Sequence, residues 1–198
     1  MSVPIHIRPL TLPDIPNLPD IRPTYQTETI LQLVQRGTGI RSGWALVEVN
    51  TPYDKGGLYD FIPAVQADIR ARFLDADQTF QRIAEDTQRG CLVGLLDVHI
   101  QTWNNTAFIW NLMIDHAYRR QGLGRRLWGE AVRFARQRGV RALTLETQNT
   151  NLAACRFYEA MGCALVGFNT LYYTNNPTKG EFALFWAFSQ LFEADPAP

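Results

Sequence analysis

The feature that most constrains this chain is a strand, turn and helix near its centre. Ala107 to Ile114 is apolar and reads as a strand. Cys91 to Gln101 reads as its partner across the turn Asn104-Asn105, so the two form a hairpin. After the second strand comes Tyr118-Arg119-Arg120-Gln121-Gly122-Leu123-Gly124-Arg125-Arg126. Leu123, Leu127, Ala131, Phe134 and Ala135 then fall on one helical stripe, which predicts a helix over Leu123 to Arg138. Gly139 suits the left-handed residue that closes such a helix. A one-sided helix leaving a strand must bury its stripe against a sheet, which limits the fold to the α/β kinds.

The turn itself has chemistry. A helix N-terminus carries unpaired N–H groups and the positive end of the dipole, so it attracts phosphate. Gly122 and Gly124 lack Cβ atoms and let a bulky anion approach the backbone. Arg119, Arg120, Arg125 and Arg126 add positive charge. An ordinary connection with solvated arginines is the competing reading. A dinucleotide fingerprint needs a third glycine where Leu127 stands. A Walker loop needs Lys-Ser or Lys-Thr after a glycine, and none occurs.

Around this unit the chain reads as β and α segments in alternation. Ile5 to Arg8 alternates like a strand, and Thr11 to Ile21 has too many prolines for a long helix. Thr24 to Arg36 reads as a helix with Ile30, Leu31 and Val34 on one side, stopped by Gly37. Gly43 to Glu48 reads as a strand, Thr51 to Gly57 as a loop, and Ile62 to Thr87 as helical with Ile69, Phe73 and Phe80 inward. Arg141 to Thr147 is a strand, and Asn151 to Met161 a short helix closed by Gly162. Ala164 to Tyr173 and Glu181 to Phe188 form a final strand pair across Asn175-Asn176-Pro177. The expected architecture is one mixed α/β sheet flanked by helices.

The totals exclude several functions. A length of 198 residues suits a single domain. Lys plus Arg (19) equals Asp plus Glu (19), so the surplus that non-specific nucleic-acid binding needs is missing. Cys91, Cys155 and Cys163 form neither a disulfide framework nor a zinc set, and no metal is expected. His99 and His116 have no ligand partners at helical spacing. No serine sits in a nucleophile elbow. Trp103, Trp110, Trp128 and Trp186 read as core or cleft-lining residues. With no signal pattern and no span of apolar residues, a soluble cytoplasmic protein is expected, with no membrane partner.

Two segments carry a family resemblance. Arg119-x-x-Gly122-x-Gly124 resembles the R/Q-x-x-G-x-G/A signature of the GNAT acetyltransferases. Asn151 to Gly162, read as N-x-x-A-x-x-x-Y-x-x-x-G, is similar to that superfamily's later block. The likeness covers about Cys91 to Phe188. Leu145-Glu146-Thr147-Gln148-Asn149-Thr150-Asn151-Leu152-Ala153-Ala154-Cys155 further resembles the L-E-T-Q-x-N-N-x-A-C run of streptothricin acetyltransferases. So do Ser42-Gly43-Trp44 through Thr51-Pro52-Tyr53, Thr102-Trp103-Asn104 and Glu181 to Trp186.

The resemblance implies a GNAT fold: a central, mostly antiparallel, splayed sheet flanked by helices. It implies one domain over residues 1–198, with acceptor-side elements in 1–90 and an acetyl-CoA-binding core in 91–190. Acetyl-CoA would be the co-substrate. Its pantetheine arm would pair with the strand Leu112-Met113-Ile114, one N–H of which would polarise the thioester carbonyl. Its pyrophosphate would sit on Arg119, Arg120, Gln121, Gly122, Leu123, Gly124 and Arg125. Asn151 and Ala154 would also contact the cofactor, although Asn151 equally reads as a plain helix cap. Tyr158 matches the general acid that protonates the leaving thiolate, beside the reading of a structural tyrosine. Streptothricin acetyltransferases carry an acid just before the pantetheine strand, where Trp110 and Asn111 stand here. The base is therefore open among Glu146, ranked first, Asp97 and Glu48, each of which also reads as structural. The implied acceptor is a primary amine on a small cation, a streptothricin-like antibiotic or a polyamine, amino acid or peptide amine. A homodimer is compatible with this. A catalytically silent acyl-CoA-binding module and an unrelated nucleotide-phosphate binder are the alternatives.

Overall fold

A computed structural model of the chain describes residues 4–56, 61–173 and 180–192. In chain order it contains β1 (Ile5–Pro9), a 3-10 helix (Leu12–Asp20), β2 (Gln26–Arg36), β3 (Gly43–Asp54) and α1 (Pro63–Leu74). There follow β4 (Thr79–Asp86), β5 (Cys91–Gln101), β6 (Thr106–Ile114), α2 (Leu123–Arg138) and β7 (Ala142–Gln148). The chain ends with α3 (Leu152–Ala160), β8 (Ala164–Asn169) and β9 (Ala183–Phe188). It divides into two compact units. One comprises Met1–Thr24, Gly57–Leu145 and Ala187–Pro198, the other Tyr25–Gly56 and Glu146–Trp186. Among the described residues no helix is long and apolar enough to cross a membrane.

In the first unit the strands run in the order β1-β4-β5-β6-β7, with only the β6–β7 pair parallel. β5 lies inside this order, and Leu92 to Val98 are all buried, as a strand covered on both faces requires. One face is covered by a core of Leu18, Ile21, Ile69, Ile83 and Leu95, which takes in the proline-rich 3-10 helix and α1. The helix α2 starts and stops where its stripe predicts. It buries Leu123, Leu127, Trp128, Ala131, Phe134 and Ala135 and ends on Gly139 at φ 64°. Phe134 stacks on Phe80 at 4.7 Å. Gly94 allows the close approach of this helix: a Cβ there would lie 3.3 Å from Met113 O and 3.4 Å from Leu127 Cδ1.

The second unit holds the end of β7 with β9 and β8, in the order β7-β9-β8, together with the hairpin β2–β3 and the helix α3. Asn149, just after β7, ties two of these parts. Its backbone O accepts from Leu31 N and its Nδ2 donates to Leu31 O, while its N donates to Phe182 O and its Oδ1 accepts from Phe182 N. One side chain thus extends the backbone pairing of β2 and of the segment leading into β9.

Four expectations are corrected. Gln26–Arg36 is a strand, not a helix. Ile30, Leu31 and Val34 fit either periodicity, and the β-branched Thr27, Thr29, Ile30 and Val34 find a full-length partner in β3. Thr51 to Asp54 extend that partner instead of forming a loop. Ile62 to Thr87 splits into α1 and β4, because β4 pairs with both β1 and β5. The strand beginning at Ala164 stops at Asn169. Gly57 and the turn Asn175-Asn176-Pro177 lie outside the described residues.

Candidate functional site

In the first unit the basic turn is anchored at its start. Asp115 caps a short 3-10 helix, His116–Tyr118, by accepting from Ala117 N at 2.9 Å. Tyr118 donates its hydroxyl to Asp86 Oδ2 at 2.7 Å, which holds that carboxyl below the usual range and pushes the phenol up to about 12. Asp86 also accepts from the backbone N of Gln88 and Arg89. Arg119 Nε reaches Ile114 O at 3.3 Å, tying the turn to the end of β6. Arg120 and Gly122 then take positive φ, 63° and 81°. Gly122 is the N-cap of α2, it offers no side-chain cap, and the first turn of the helix contains no acid. Among the described residues, the N–H groups of Leu123, Gly124 and Arg125 therefore begin the helix without a side-chain cap from the N-cap residue and without an acid in the first turn. Leu123 is buried and Gly124 half-buried, while Arg120, Gln121, Gly122 and Arg125 are exposed.

The strand before this turn changes partner part-way. β6 pairs with β7 from Thr106↔Ala142 to Ile109↔Leu145 and runs on to Ile114. On the β5 side Val98 faces Ile109 and Asp97 faces Asn111, so Trp110 is an extra, bulged residue. The bulge stands where the pairing to β7 ends. Leu112, Met113 and Ile114 are half-buried and pair with Leu96, Leu95 and Gly94 along one edge. Below the bulge Asp97 is fully buried. Its Oδ2 accepts from Arg72 Nε and Nη2 at 2.9 and 2.7 Å and from Asn111 Nδ2 at 3.1 Å, and its Oδ1 from Gln81 at 2.9 Å. So enclosed, Asp97 is an ion-pair anchor. Arg72 also lies 5.0 Å from the Trp110 ring.

In the second unit Glu146 lies in β7 and accepts a hydrogen bond from Tyr173. Burial, and then the charge of Glu181, push its carboxyl up to about 7, against the pull of Tyr173 and Lys55. Asn151 Oδ1 accepts from Ala154 N at 3.1 Å, so both act in the cap of α3. Tyr158 is buried in α3, 6.4 Å from the Trp186 ring. Burial, with smaller contributions from Cys163, Cys155 and Glu146, raises its pKa, so the phenol holds its proton. Glu48 is exposed and pairs with Arg156 at 3.0 Å.

One cluster escapes sequence reasoning. Lys55 and Glu181, both buried, form an ion pair at 2.7 Å. Glu181 also accepts from Tyr53 at 2.7 Å and Thr150 at 3.1 Å, and Tyr25 lies 2.8 Å from the Thr150 hydroxyl. Lys55 sits in what reads as a loop, so nothing local signals a buried cation. Of the tryptophans, Trp128 and Trp186 are buried, but Trp103 is 83% exposed, beside the polar turn it belongs to. His99 pairs with Asp75 at 3.0 Å and His116 with Asp115 at 3.8 Å. Among the described residues no group of three His, Cys, Asp or Glu side chains is placed to hold a metal.

Residues 46–163 match the family model described as the acetyltransferase (GNAT) family. Streptothricin acetyltransferase A of Bacillus subtilis (strain 168) is 36% identical over 84 residues, 42% of this chain and 49% of that protein. The chain thus spans about half the length of that curated relative in the match. The crystal structure of a nourseothricin acetyltransferase superimposes with a TM-score of 0.77 at 26% identity, over 93% of this chain and 97% of that one. A protein of Bacillus anthracis str. Ames, assigned as a streptothricin acetyltransferase and solved with acetyl coenzyme A, gives 0.72 at 27% identity over 94% and 99%.

Proposed function

Because this chain belongs to the acetyltransferase (GNAT) family, we propose that it moves the acetyl group of acetyl-CoA to a primary amine of a small cationic acceptor. The most specific acceptor class is a streptothricin-like antibiotic, because the relatives named above are streptothricin and nourseothricin acetyltransferases. Residues 1–198 act as one domain in this reading, in the cytoplasm. The observation that carries it is the exposed N-terminus of α2, with a glycine at the cap and no acid in its first turn. Backbone N–H groups of Leu123, Gly124 and Arg125 would hold the pyrophosphate, with Arg119, Arg120, Gln121 and Gly122 around it. The edge of Leu112, Met113 and Ile114 turned away from β5 would pair with the pantetheine arm. Asn151 and Ala154 would contribute from the start of α3.

The chemistry follows from two protonation states. Glu146 titrates near neutrality, so it takes a proton from the acceptor's ammonium more readily than an ordinary carboxylate does. The freed amine attacks the thioester carbonyl, and a strand N–H stabilises the oxyanion. As the carbon–sulfur bond breaks, Tyr158 gives its proton to the leaving thiolate and recovers one from the former amine nitrogen, which must shed its second proton to become the amide. The products are an amide and CoA thiol, and Glu146 releases its proton to solvent. Cys155 and Cys163 are pushed up to about 12 by burial, which argues against an acetyl-cysteine intermediate and for direct transfer.

The test is incubation with acetyl-CoA and an amine panel that includes a streptothricin, following free thiol. Acceptor-dependent thiol release is expected. Thermal stabilisation by CoA without thiol release on any amine would instead mark a binding module, and stabilisation by ATP or NAD but not CoA a different nucleotide-phosphate binder.

A further inference from the structure

Glu146 has an aromatic setting on its own unit. Tyr173 donates its hydroxyl to Glu146 Oε1. Tyr172 stands edge-on to Tyr173 with ring centres 5.3 Å apart, and edge-on to Phe185 of β9 at 5.5 Å. The donor ring is thus braced through a second ring onto a strand. Among the described residues of this unit, the charged and titratable groups that interact with Glu146 are Glu181, Lys55, Tyr158, Cys155, Tyr172 and Tyr173. Glu181 and Lys55 are paired with each other and act on Glu146 in opposite senses. Tyr158, Cys155 and Tyr172 are all shifted toward their neutral forms. Among the described residues, Tyr173 is the group that meets the carboxylate with a hydrogen bond.

Resting on the reading of Glu146 as the base, we propose that Tyr173 is a positioning residue for acetyl transfer. Its hydroxyl holds the Glu146 carboxylate in one orientation and keeps it ionised at the pH where it must accept the ammonium's proton. A hydrogen bond to the charged form favours that form, whereas burial disfavours it. A phenol suits both demands. A lysine or arginine in its place would bring a full positive charge, return Glu146 toward an ordinary carboxylate and repel a cationic acceptor. A neutral donor leaves the net negative charge that an ammonium seeks.

The test uses the full chain labelled with ¹³C at the glutamate side-chain carboxyls. Its Glu146 signal is identified by its loss in Glu146→Gln, and the wild type is compared with Tyr173→Phe, which keeps the ring. The Glu146 inflection is expected to rise by about one pH unit in Tyr173→Phe, the size of one hydrogen bond to a charged group. Tyr172→Phe, which removes a hydroxyl from the bracing ring alone, leaves it in place. With an accepted amine, the acid limb of kcat/KM against pH moves by the same amount. Activity near pH 6.5 then falls about five- to tenfold and recovers near pH 9. An unmoved Glu146 inflection in folded Tyr173→Phe overturns the proposal, whether or not the protein transfers acetyl groups. A shifted inflection with an unmoved limb overturns the catalytic role. Absence of thiol release from the wild type defeats the acetyl-transfer reading itself, and is read separately from the titration.

Discussion

The turn at the head of α2 and the surroundings of Glu146 are built from different materials. The turn is exposed and made of backbone: two positive-φ residues, an N-cap without a side chain, and helix N–H groups. Around Glu146 the groups are side chains, and burial sets their chemistry, lifting one carboxyl to about 7 and holding the Tyr158 phenol neutral. Phosphate binding needs N–H groups in an open arc, which any sequence able to bend that way supplies. Proton transfer needs a particular atom with a particular affinity for a proton. The first region should therefore break through conformation and the second through single functional groups.

The sharpest break in that contrast is Glu146→Gln. It keeps the shape and removes the base, so kcat/KM should fall about a hundredfold to ten-thousandfold while acetyl-CoA affinity holds. Stability should move the other way. A carboxyl raised from 4.5 to about 7 contributes stability that is fully present below about 4.5 and is lost as pH rises through about 7. At pH 8 the variant is relieved of that cost, on the order of 3 kcal/mol at most. Thermal melts at pH 5 and pH 8 should show the variant gaining on the wild type only at the higher pH. A fall in activity with no such pH-dependent gain would mean that Glu146 is not held in a charge-averse site.

Asp97 tests whether a buried carboxylate of the first unit belongs to the same chemistry. Asp97→Ala leaves Arg72, Gln81 and Asn111 facing a void and should cost about 3–5 kcal/mol of stability by denaturant melts. Asp97→Asn removes the charge at nearly constant volume and should leave kcat of the folded protein within about threefold of wild type. A loss as large as that in Glu146→Gln would transfer the role of base to Asp97. Tyr158→Phe comes next. It should slow turnover at least about tenfold, leave CoA affinity unchanged by calorimetry and scarcely alter the fold, because the ring stays. Unchanged turnover would remove Tyr158 from the reaction.

How much of this is legible in the chain itself follows the same divide. Leu123 to Arg138 reads correctly because its stripe, its glycine stop and its position after a strand all agree. The basic turn is legible because backbone geometry is written locally, in glycines and neighbours. The hairpin β2–β3 is not, since Ile30, Leu31 and Val34 fit two periods and only the distant partner decides. The surroundings of Glu146 are hidden for a related reason. Tyr173, Glu181 and Lys55 lie far from it in sequence, and burial, which moves its pKa most, has no local signature. The bulge at Trp110 is equally silent, although it marks where β6 leaves β7.

The smallest expected effect tests the backbone side of the contrast. In Gly122→Ala the added methyl meets nothing within 4 Å, so crowding is no objection. The φ of 81° is the obstacle, costing an L-residue about 1 kcal/mol. The chain can bear that strain or rotate Gly122 out of the left-handed region, and rotation turns the first N–H groups of α2 away from a bound anion. CoA affinity should therefore fall about fivefold. Saturating kcat should hold, because neither Glu146 nor Tyr158 has changed. Raised KM for acetyl-CoA with constant kcat would assign the turn to binding alone. Loss of kcat without loss of affinity would show that its conformation also governs the reacting groups, and the division between backbone and side-chain chemistry would fail there.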